Sequence, residues 1–125
     1  MGKTLNLNSL LRARAVFEKV RIGMVDERDQ MGASQAFEFC YELSWKALKN
    51  YLEVGGIKCS TPREVFREAS VAGLIKDPAI WFRFQELRNM ASHTYEISNL
   101  EALVASFDSF SIELCDLITT LEGKL

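Results

Sequence analysis

The side chains best suited to chemistry lie together near the end of a helical stretch that begins at Ile80. Within eight residues the sequence contains Arg88, Asn89, His93 and Tyr95, and it has no other histidine. The imidazole of a histidine gains and loses a proton near neutral pH, so it can act as a general acid or base. In a continuous helix Asn89 lies one turn before His93, which would let the amide orient the imidazole. Spacing alone leaves two alternatives, a solvated polar face or a structural hydrogen-bond cluster at the helix end.

The helix that carries these residues is predicted to begin at Asp77-Pro78, because proline suits the first helical position. Its apolar residues recur with helical spacing and form the core stripe Ile80, Phe84, Leu87 and Ala91. Arg88 would lie on the flank of this stripe, and His93 would point away from the core if the helix continued. The side chains of Arg88 and His93 would then lie about 140° apart around the helix axis.

Two long helices are predicted before this one. The first covers about residues 7–24, with Asn6 or Asn8 as its N-cap. Its apolar stripe is Leu10, Ala13, Phe17, Val20 and Met24. The second covers about 29–54 and is rich in aromatic residues. Because this second helix is also apolar on a second side, at Phe39 and Leu43, it is either central in its bundle or in contact with a second copy.

The two remaining helices are predicted from sequence signals at their N-terminal ends. A short third helix opens at Thr61-Pro62, with Glu64 placed to close a capping box, and ends near Gly73. A fifth helix is predicted to open with a capping box of Ser98 and Glu101. Its heptad positions are Leu100, Leu103, Phe107, Phe110, Leu114, Leu117 and Leu121. Short loops between amphipathic helices predict an all-α, up-and-down antiparallel four-helix bundle with a short extra helix, forming one domain over residues 1–125.

The polar side of the second helix carries Glu38, Glu42, Lys46 and Lys49. Glu42 and Lys46 are four residues apart in the favourable order for an ion pair. A solvated face with ordinary pairs is one interpretation of this side. The functional alternative is that Lys46 or Lys49 contacts a phosphate group.

Composition excludes several classes of protein. Hydrophobic residues make up 48% and charged residues 26%, which is typical of a globular domain, and no apolar run is long enough to span a membrane. The N-terminal residues lack a signal-peptide core, so a cytoplasmic location is expected. The net charge of −2 argues against coating nucleic acid through bulk charge. Three widely spaced cysteines and one histidine are too few for a zinc site, so no metal and no cofactor are expected.

Two stretches of the sequence resemble one known family. Residues 88–95, RNMASHTY, resemble the R-x4-H-x-Y signature of HEPN domains, in the branch paired with minimal nucleotidyltransferases. Residues 37–52, FEFCYELSWKALKNYL, resemble the second helix of the same branch, the nucleotidyltransferase substrate-binding proteins. The likeness extends over nearly the whole chain, but only these two stretches match at the level of motifs.

The resemblance implies a homodimer in which the motifs of two copies face each other, and a separately encoded minimal nucleotidyltransferase as partner. This chain has neither a Gly-Ser phosphate loop nor a D-x-D, so it would not transfer nucleotides alone. Many members of the wider superfamily are metal-independent ribonucleases, and some are toxins. In such an enzyme Arg88 would stabilise charge on the phosphate and His93 would move a proton, while RNA supplies its 2′-hydroxyl as nucleophile. The resemblance also implies that the partner adenylylates Tyr95 and silences the site; an ordinary exposed tyrosine at a helix end is the alternative.

Three functions therefore remain open at the level of sequence. The chain is a ribonuclease toxin neutralised by its partner, a non-catalytic subunit that binds a nucleotide or RNA, or a purely structural dimerisation bundle. The Arg88 and His93 pair favours the first, because a binding protein has no special need for a titrating side chain. The acidic net charge slightly favours the second. Because a continuous helix separates Arg88 from His93, a single site would combine two subunits or require a helix broken near Ser92.

Overall fold

The structure is a computed structural model that describes residues 6–125. It contains five α-helices, α1 (Asn8–Ile22), α2 (Glu27–Val54), α3 (Pro62–Val71), α4 (Pro78–Met90) and α5 (Ile97–Glu122), and a 3₁₀ turn at Ala91–His93. No strand occurs in this range, and none of its helices is long and apolar enough to cross a membrane. The domain is expected to begin at residue 1, and the N-terminal residues are expected to lack a signal-peptide core. Both expectations concern residues 1–5, which lie outside the described range.

The four longer helices form the predicted up-and-down antiparallel bundle, and α3 is the short extra helix between α2 and α4. Helix α2 packs against each of the other four helices, so it is central in the bundle. All seven predicted heptad positions of α5, from Leu100 to Leu121, are buried. The predicted all-α architecture is therefore confirmed, and its core lies between α5 and the faces of α1, α2 and α4.

Phe110 of α5 lies at the centre of this core, where four other aromatic rings surround it. The centroid distances are 5.5 Å to Phe17 of α1, 4.7 Å to Phe37 of α2, and 5.9 and 5.0 Å to Trp81 and Phe84 of α4. The interplanar angles lie between 67° and 88°, so the edge of one ring meets the face of another. This geometry suits the quadrupoles of aromatic rings, and a single side chain thereby joins four helices.

Side-chain caps start several of the helices where the sequence predicts them. Helix α1 differs, because its N-cap is Leu7 and no side chain caps it, so the predicted N-cap of Asn6 or Asn8 is wrong. The side chain of Asn6 still accepts a hydrogen bond from the backbone N–H of Asn8, the first helical residue, at 2.9 Å. At α3, Thr61 Oγ1 accepts from the N–H of Glu64 at 3.3 Å, while the Glu64 carboxylate accepts from the N–H of Ser60 at 3.0 Å. The carboxylate thus reaches one residue further back than in the predicted box, and both groups still satisfy backbone donors.

The predicted capping box of Ser98 and Glu101 is wrong. Helix α5 begins at Ile97, one residue before Ser98, and no side chain caps its first turn. The carbonyl of Glu96 accepts instead from the N–H groups of Asn99 and Leu100, at 3.0 and 3.2 Å. Ser98 therefore lies inside the first helical turn, where its hydroxyl is in the wrong place to act as an N-cap.

The predicted core stripe of α4 is incomplete at its start, where Ile80 packs against the core but a second residue is buried more deeply. Ile80 is only half-buried, whereas the neighbouring Trp81 is 1% exposed. The reason is that α4 packs against α3 as well as α5, and the ring of Trp81 lies 5.5 Å from Phe66 of α3. The buried face is therefore widened toward the short extra helix, and the spacing of residues within α4 does not reveal where that helix lies.

A polar bridge joins α1 to α5 at the edge of the core. Arg21 binds Glu18 at 2.7 Å and Asp108 at 2.6 Å through its two terminal nitrogens, and the Ser111 hydroxyl donates to the Glu18 carboxylate. Burial alone would raise the pKa of Glu18, but the hydrogen bonds from Ser111 and Arg21, with the charges of Arg21 and Arg14, lower it below its usual value. The bridge therefore holds Glu18 in its ionised form.

Candidate functional site

Arg88 lies in the last turn of α4 and is bound to α2. Its Nε donates a hydrogen bond to Glu42 Oε1 at 3.1 Å, and the side chains of Arg88 and Glu42 are 35% and 33% exposed. The other oxygen of that carboxylate, Oε2, accepts from the indole Nε1 of Trp45 at 3.1 Å. The predicted pair of Glu42 with Lys46 is wrong. The Glu42 carboxylate instead accepts hydrogen bonds from Arg88, 46 residues later in the chain, and from Trp45, three residues later on the same helix.

Tyr41 lies beside this pair and is almost fully buried. It is 2% exposed, its ring lies 6.1 Å from Phe66 of α3, and its hydroxyl has no hydrogen-bond partner among the described residues. Burial and then the charge of Glu42 raise its pKa well above the usual value, although Arg88 opposes the shift. The phenol is therefore protonated at neutral pH. The spacing of residues along α2 gives no sign that this buried tyrosine lies beside the Arg88 and Glu42 pair.

The α-helix that carries Arg88 ends at Met90, and the chain continues as the 3₁₀ turn Ala91–His93. The carbonyl of His93 accepts from the N–H of Glu96 and from Nδ2 of Asn99, each at 3.1 Å. These two donors satisfy a carbonyl at the end of the helical stretch and fix the path of the chain into α5. The α-helix is therefore broken close to Ser92, one of the two arrangements that the sequence left open.

His93 and Tyr95 form an exposed pair beyond this break. His93 Nδ1 lies 3.1 Å from the Tyr95 hydroxyl, and the ring centroids are 5.7 Å apart in an edge-to-face arrangement. The side chain of Tyr95 is 74% exposed. Because this contact occupies Nδ1, the imidazole has Nε2 available for a reacting group. A hydroxyl that donates to Nδ1 leaves Nε2 protonated and able to donate a hydrogen bond, and an Nδ1–H that donates to the oxygen leaves Nε2 as a base.

The expected contact of Asn89 with His93 is absent from the described residues. Asn89 is exposed in the last turn of α4, and the hydrogen bond of the imidazole is made with Tyr95. The expectation assumed that the α-helix continues through His93. The tighter 3₁₀ turn rotates His93 away from the position four residues along the helix, so the two side chains no longer face each other.

The two candidate phosphate-binding lysines of α2 have different surroundings. Lys49 forms an ion pair with Glu53 at 3.6 Å, whereas Lys46 is exposed and makes no ion pair with any residue in the range 6–125. Lys46 lies one turn beyond Glu42, on the side of α2 that carries the Arg88 contact. Within the same range, no three His, Cys, Asp or Glu side chains are grouped as ligands for a metal ion.

An apolar groove lies between α1 and α2. Its walls include Phe39, which is 57% exposed, Val16, which is 51% exposed, and the half-buried Leu43. The groove has a volume of about 340 Å³. Exposure of a phenylalanine and a valine in one place is unusual for a surface that faces only water. The second apolar side of α2 is therefore left uncovered by the other helices of the chain.

The all-helical bundle places the Arg-x4-His-x-Tyr segment, residues 88–95, across the last turn of α4 and the 3₁₀ turn that follows it. The chain belongs to the family described as nucleotidyltransferase substrate binding protein like, whose pattern matches residues 5–123. The resemblance seen in the sequence is thereby confirmed.

Individual relatives agree with this membership. A Haemophilus influenzae protein named "Probable ribonuclease HepT" is 38% identical over 98 residues, covering 74% of this chain and 67% of the relative. A solved Haemophilus influenzae structure, described as the fold of a substrate binding domain of a nucleotidyltransferase, is 32% identical with a TM-score of 0.85, covering 94% and 99% of the two chains. A structure from Thermus thermophilus shares the fold, with a TM-score of 0.84 at 24% identity and coverage of 90% and 98%.

Proposed function

We propose that this chain is a cytoplasmic, metal-independent ribonuclease of the toxin type, paired with a separately encoded minimal nucleotidyltransferase. The observation that carries the proposal is the exposed His93–Tyr95 pair, in which Nδ1 is held and Nε2 is available. The ribonuclease name of the Haemophilus influenzae relative supports the activity, and the family description supports the partner.

The reaction follows from the groups that the site supplies. Nε2 of His93 takes the proton of a ribose 2′-hydroxyl, and the 2′-oxygen attacks the adjacent phosphorus. The bond to the 5′-oxygen breaks, and that oxygen takes the proton that Nε2 received, which leaves a 2′,3′-cyclic phosphate, a free 5′-hydroxyl and the neutral imidazole. Arg88 stabilises the charge on the phosphate oxygens through its terminal nitrogens. The nucleophile comes from the substrate, so this route requires no metal-bound water.

We also propose that the working form is a homodimer. The apolar groove of Phe39, Val16 and Leu43 is the surface that a second copy would cover. Arg88 and His93 bind different partners, Glu42 and Tyr95, and they make no hydrogen bond with each other. In a dimer whose motifs face each other, the arginine of one copy and the histidine of the other can act on one phosphate.

Tyr95 is the proposed site at which the partner regulates the enzyme. Its hydroxyl is exposed and lies 3.1 Å from His93 Nδ1. Transfer of an adenylyl group to this oxygen would remove the hydroxyl hydrogen and place a phosphodiester charge beside the imidazole. The nucleotide would also occupy the surface in front of His93. The added charge, which favours the protonated imidazole over the base, and the occupied surface would each oppose RNA cleavage, which gives the modification a physical means of silencing.

A non-catalytic nucleotide-binding subunit is the second candidate. The observation that favours it is the ion pair of Arg88 with Glu42, which offsets the one arginine charge of the site, in a chain of net charge −2. In that role Arg88 and Lys46 would bind the phosphates of a nucleotide, and His93 would contribute a hydrogen bond without moving a proton.

RNA cleavage by the purified chain in the presence of a chelator separates the two candidates. The wild-type chain is compared with His93→Ala and with Arg88→Ala, and Arg83→Ala is the matched control because Arg83 is exposed on the same helix and pairs with Glu86. For a ribonuclease, loss of the general base lowers the rate by about 10²–10⁴, while the control cuts normally. Absence of cleavage by folded, unmodified wild-type protein would refute the ribonuclease and favour the nucleotide-binding subunit.

A further inference from the structure

The ion pair between α2 and α4 has a geometry that an ordinary surface pair does not require. We propose that Glu42 and Trp45 are positioning residues for Arg88, which hold its guanidinium by Nε so that both terminal nitrogens are available for phosphate. The proposal rests on the phosphate-binding role of Arg88, which is common to the ribonuclease and to the nucleotide-binding subunit. It adds two residues of α2 to a site that the sequence motif confines to the end of α4.

The first argument is a comparison of Arg88 with Arg21. The terminal nitrogens of Arg21 both bind carboxylates of the protein, Nη1 to Asp108 at 2.6 Å and Nη2 to Glu18 at 2.7 Å. The Nε of Arg21 has no hydrogen-bond partner among the described residues. Arg88 has the opposite arrangement. Its Nε is bound to Glu42 at 3.1 Å, and its terminal nitrogens make no hydrogen bond within residues 6–125. Two parallel N–H groups are the part of arginine that binds two phosphate oxygens at once.

The second argument is that Glu42 is itself fixed. One carboxylate oxygen accepts from Arg88 and the other accepts from the Trp45 indole, each at 3.1 Å. The preceding residue, Tyr41, is 2% exposed and packs against Phe66 of α3, which anchors this turn of α2 to the bundle. A carboxylate held from both sides can fix the direction of a guanidinium, whereas a freely rotating surface glutamate cannot.

The opposite role for Glu42 would be competition with phosphate for the arginine. The two roles predict changes of opposite sign. If Glu42 positions Arg88, removal of its side chain lets the guanidinium rotate and weakens phosphate binding. If Glu42 only neutralises Arg88, its removal frees a positive charge and strengthens binding. Glu42→Gln separates direction from charge, because the amide oxygen can still accept from Nε and the negative charge is gone. Its NH₂ group cannot accept from the Trp45 indole, so that contact is lost in this variant.

The first test is the binding of a fluorescein-labelled oligoribonucleotide with 2′-O-methyl riboses, followed by fluorescence anisotropy. This probe has no free 2′-hydroxyl nucleophile, so binding is read without cleavage. We expect Glu42→Ala to weaken binding by about tenfold, as expected for loss of one fixed charge-assisted contact, and Glu42→Gln to remain within about twofold of wild type. Trp45→Phe, which keeps an aromatic ring but no N–H, loses the same indole contact as Glu42→Gln and should bind about as well as that variant. Glu86→Ala is the control, because Glu86 pairs with Arg83 on the exposed part of α4.

The second test reads the geometry without any ligand. In a ¹⁵N-edited NMR spectrum the Arg88 Nε–Hε signal, identified by its absence from Arg88→Lys, should exchange slowly with water in the wild type and in Glu42→Gln. It should exchange rapidly in Glu42→Ala, whose fold is checked by circular dichroism. Rapid exchange in the wild type would overturn the positioning geometry.

The outcomes also separate this inference from the proposed function. If Arg88→Ala binds the probe as well as wild type does, the phosphate-binding role of Arg88 fails, and the role of Glu42 fails with it. If Arg88→Ala binds weakly but Glu42→Ala binds as well as or better than wild type, only the positioning role is overturned. Weak binding by both variants, with Glu42→Gln near wild type, supports the proposal.

Discussion

Phe110→Ala should be among the most destabilising single substitutions in this chain. The side chain is fully buried, and its ring meets four others, one each from α1 and α2 and two from α4, at centroid distances of 4.7 to 5.9 Å. Truncation of a buried phenylalanine to alanine costs about 3–5 kcal/mol of unfolding free energy. Because the cavity would be lined by rigid rings from three helices that cannot collapse together, we expect a value near the upper end of that range.

That loss is large compared with the total stability of a small domain, which is about 5–15 kcal/mol. For a chain of this length it corresponds to a fall in melting temperature of roughly 10–20 °C. The assay is urea denaturation followed by circular dichroism at 222 nm, at one fixed protein concentration because any dimerisation would add to the apparent stability. Ile112→Ala, two residues away and 62% exposed, is the control and should change stability by less than about 0.5 kcal/mol.

A second comparison tests whether the number of joined helices determines the loss. Phe107 is 1% exposed on the same helix, but its ring meets only Phe17 and Phe37, at 5.4 and 6.2 Å, among the aromatic pairs of the described residues. Phe107→Ala should therefore cost less than Phe110→Ala. If the two losses are equal, or if Phe110→Ala costs under about 2 kcal/mol, the core repacks around the vacancy and the reasoning from ring contacts is wrong.

Three further predictions concern the dimer, a buried thiol and the effect of pH. Leu43→Glu places a charge in the apolar groove and should give a folded monomer in sedimentation; a dimer that survives would place the interface elsewhere. Burial, followed by the charge of Glu18, raises the pKa of Cys40 to about 12, so native protein treated with iodoacetamide at pH 8 should be modified at the half-buried Cys115 and spared at Cys40. Folding lowers the pKa of Glu18, so the ionised carboxylate stabilises the folded protein. This stabilisation is complete above the ordinary pKa of 4.5 and is lost as the pH falls through the lower pKa of the folded state. Ser111→Ala should therefore cost about 1 kcal/mol at neutral pH, and its difference from wild type should shrink as the pH falls below 4.5; a constant difference would contradict this assignment.

The architecture could be predicted from the sequence because its signals are local and repeated. The heptads of α5 and the proline starts of α3 and α4 follow from helical periodicity and from the geometry of the first turn. The burial of Trp81 could not be predicted from helical periodicity. The periodicity of a helix gives one apolar stripe, and it does not show that a neighbouring helix will widen the buried face to one side.

The candidate site depends more on contacts between distant residues. Residues 90–94 contain no glycine or proline, so nothing in the local sequence marks the end of α4. The end is fixed from α5, where Asn99 donates to the carbonyl of His93. Glu42 shows the same limit, because a rule for neighbours on one helix selects Lys46, whereas the folded chain brings Arg88 to it from 46 positions away.

The break after Met90 also bears on how such a protein can change during evolution. Among residues 91–96 only Ala91 is buried, so most of the turn contributes little to the core. Substitutions at exposed positions of this kind usually change stability by less than about 0.5 kcal/mol. New side chains beside His93 can therefore arise during evolution without bringing the fold near its stability threshold. Arg88 is constrained differently, because any replacement must also be compatible with the packing of α2. The exposed positions beside His93 are thus expected to diverge faster than those beside Arg88 among descendants of this chain.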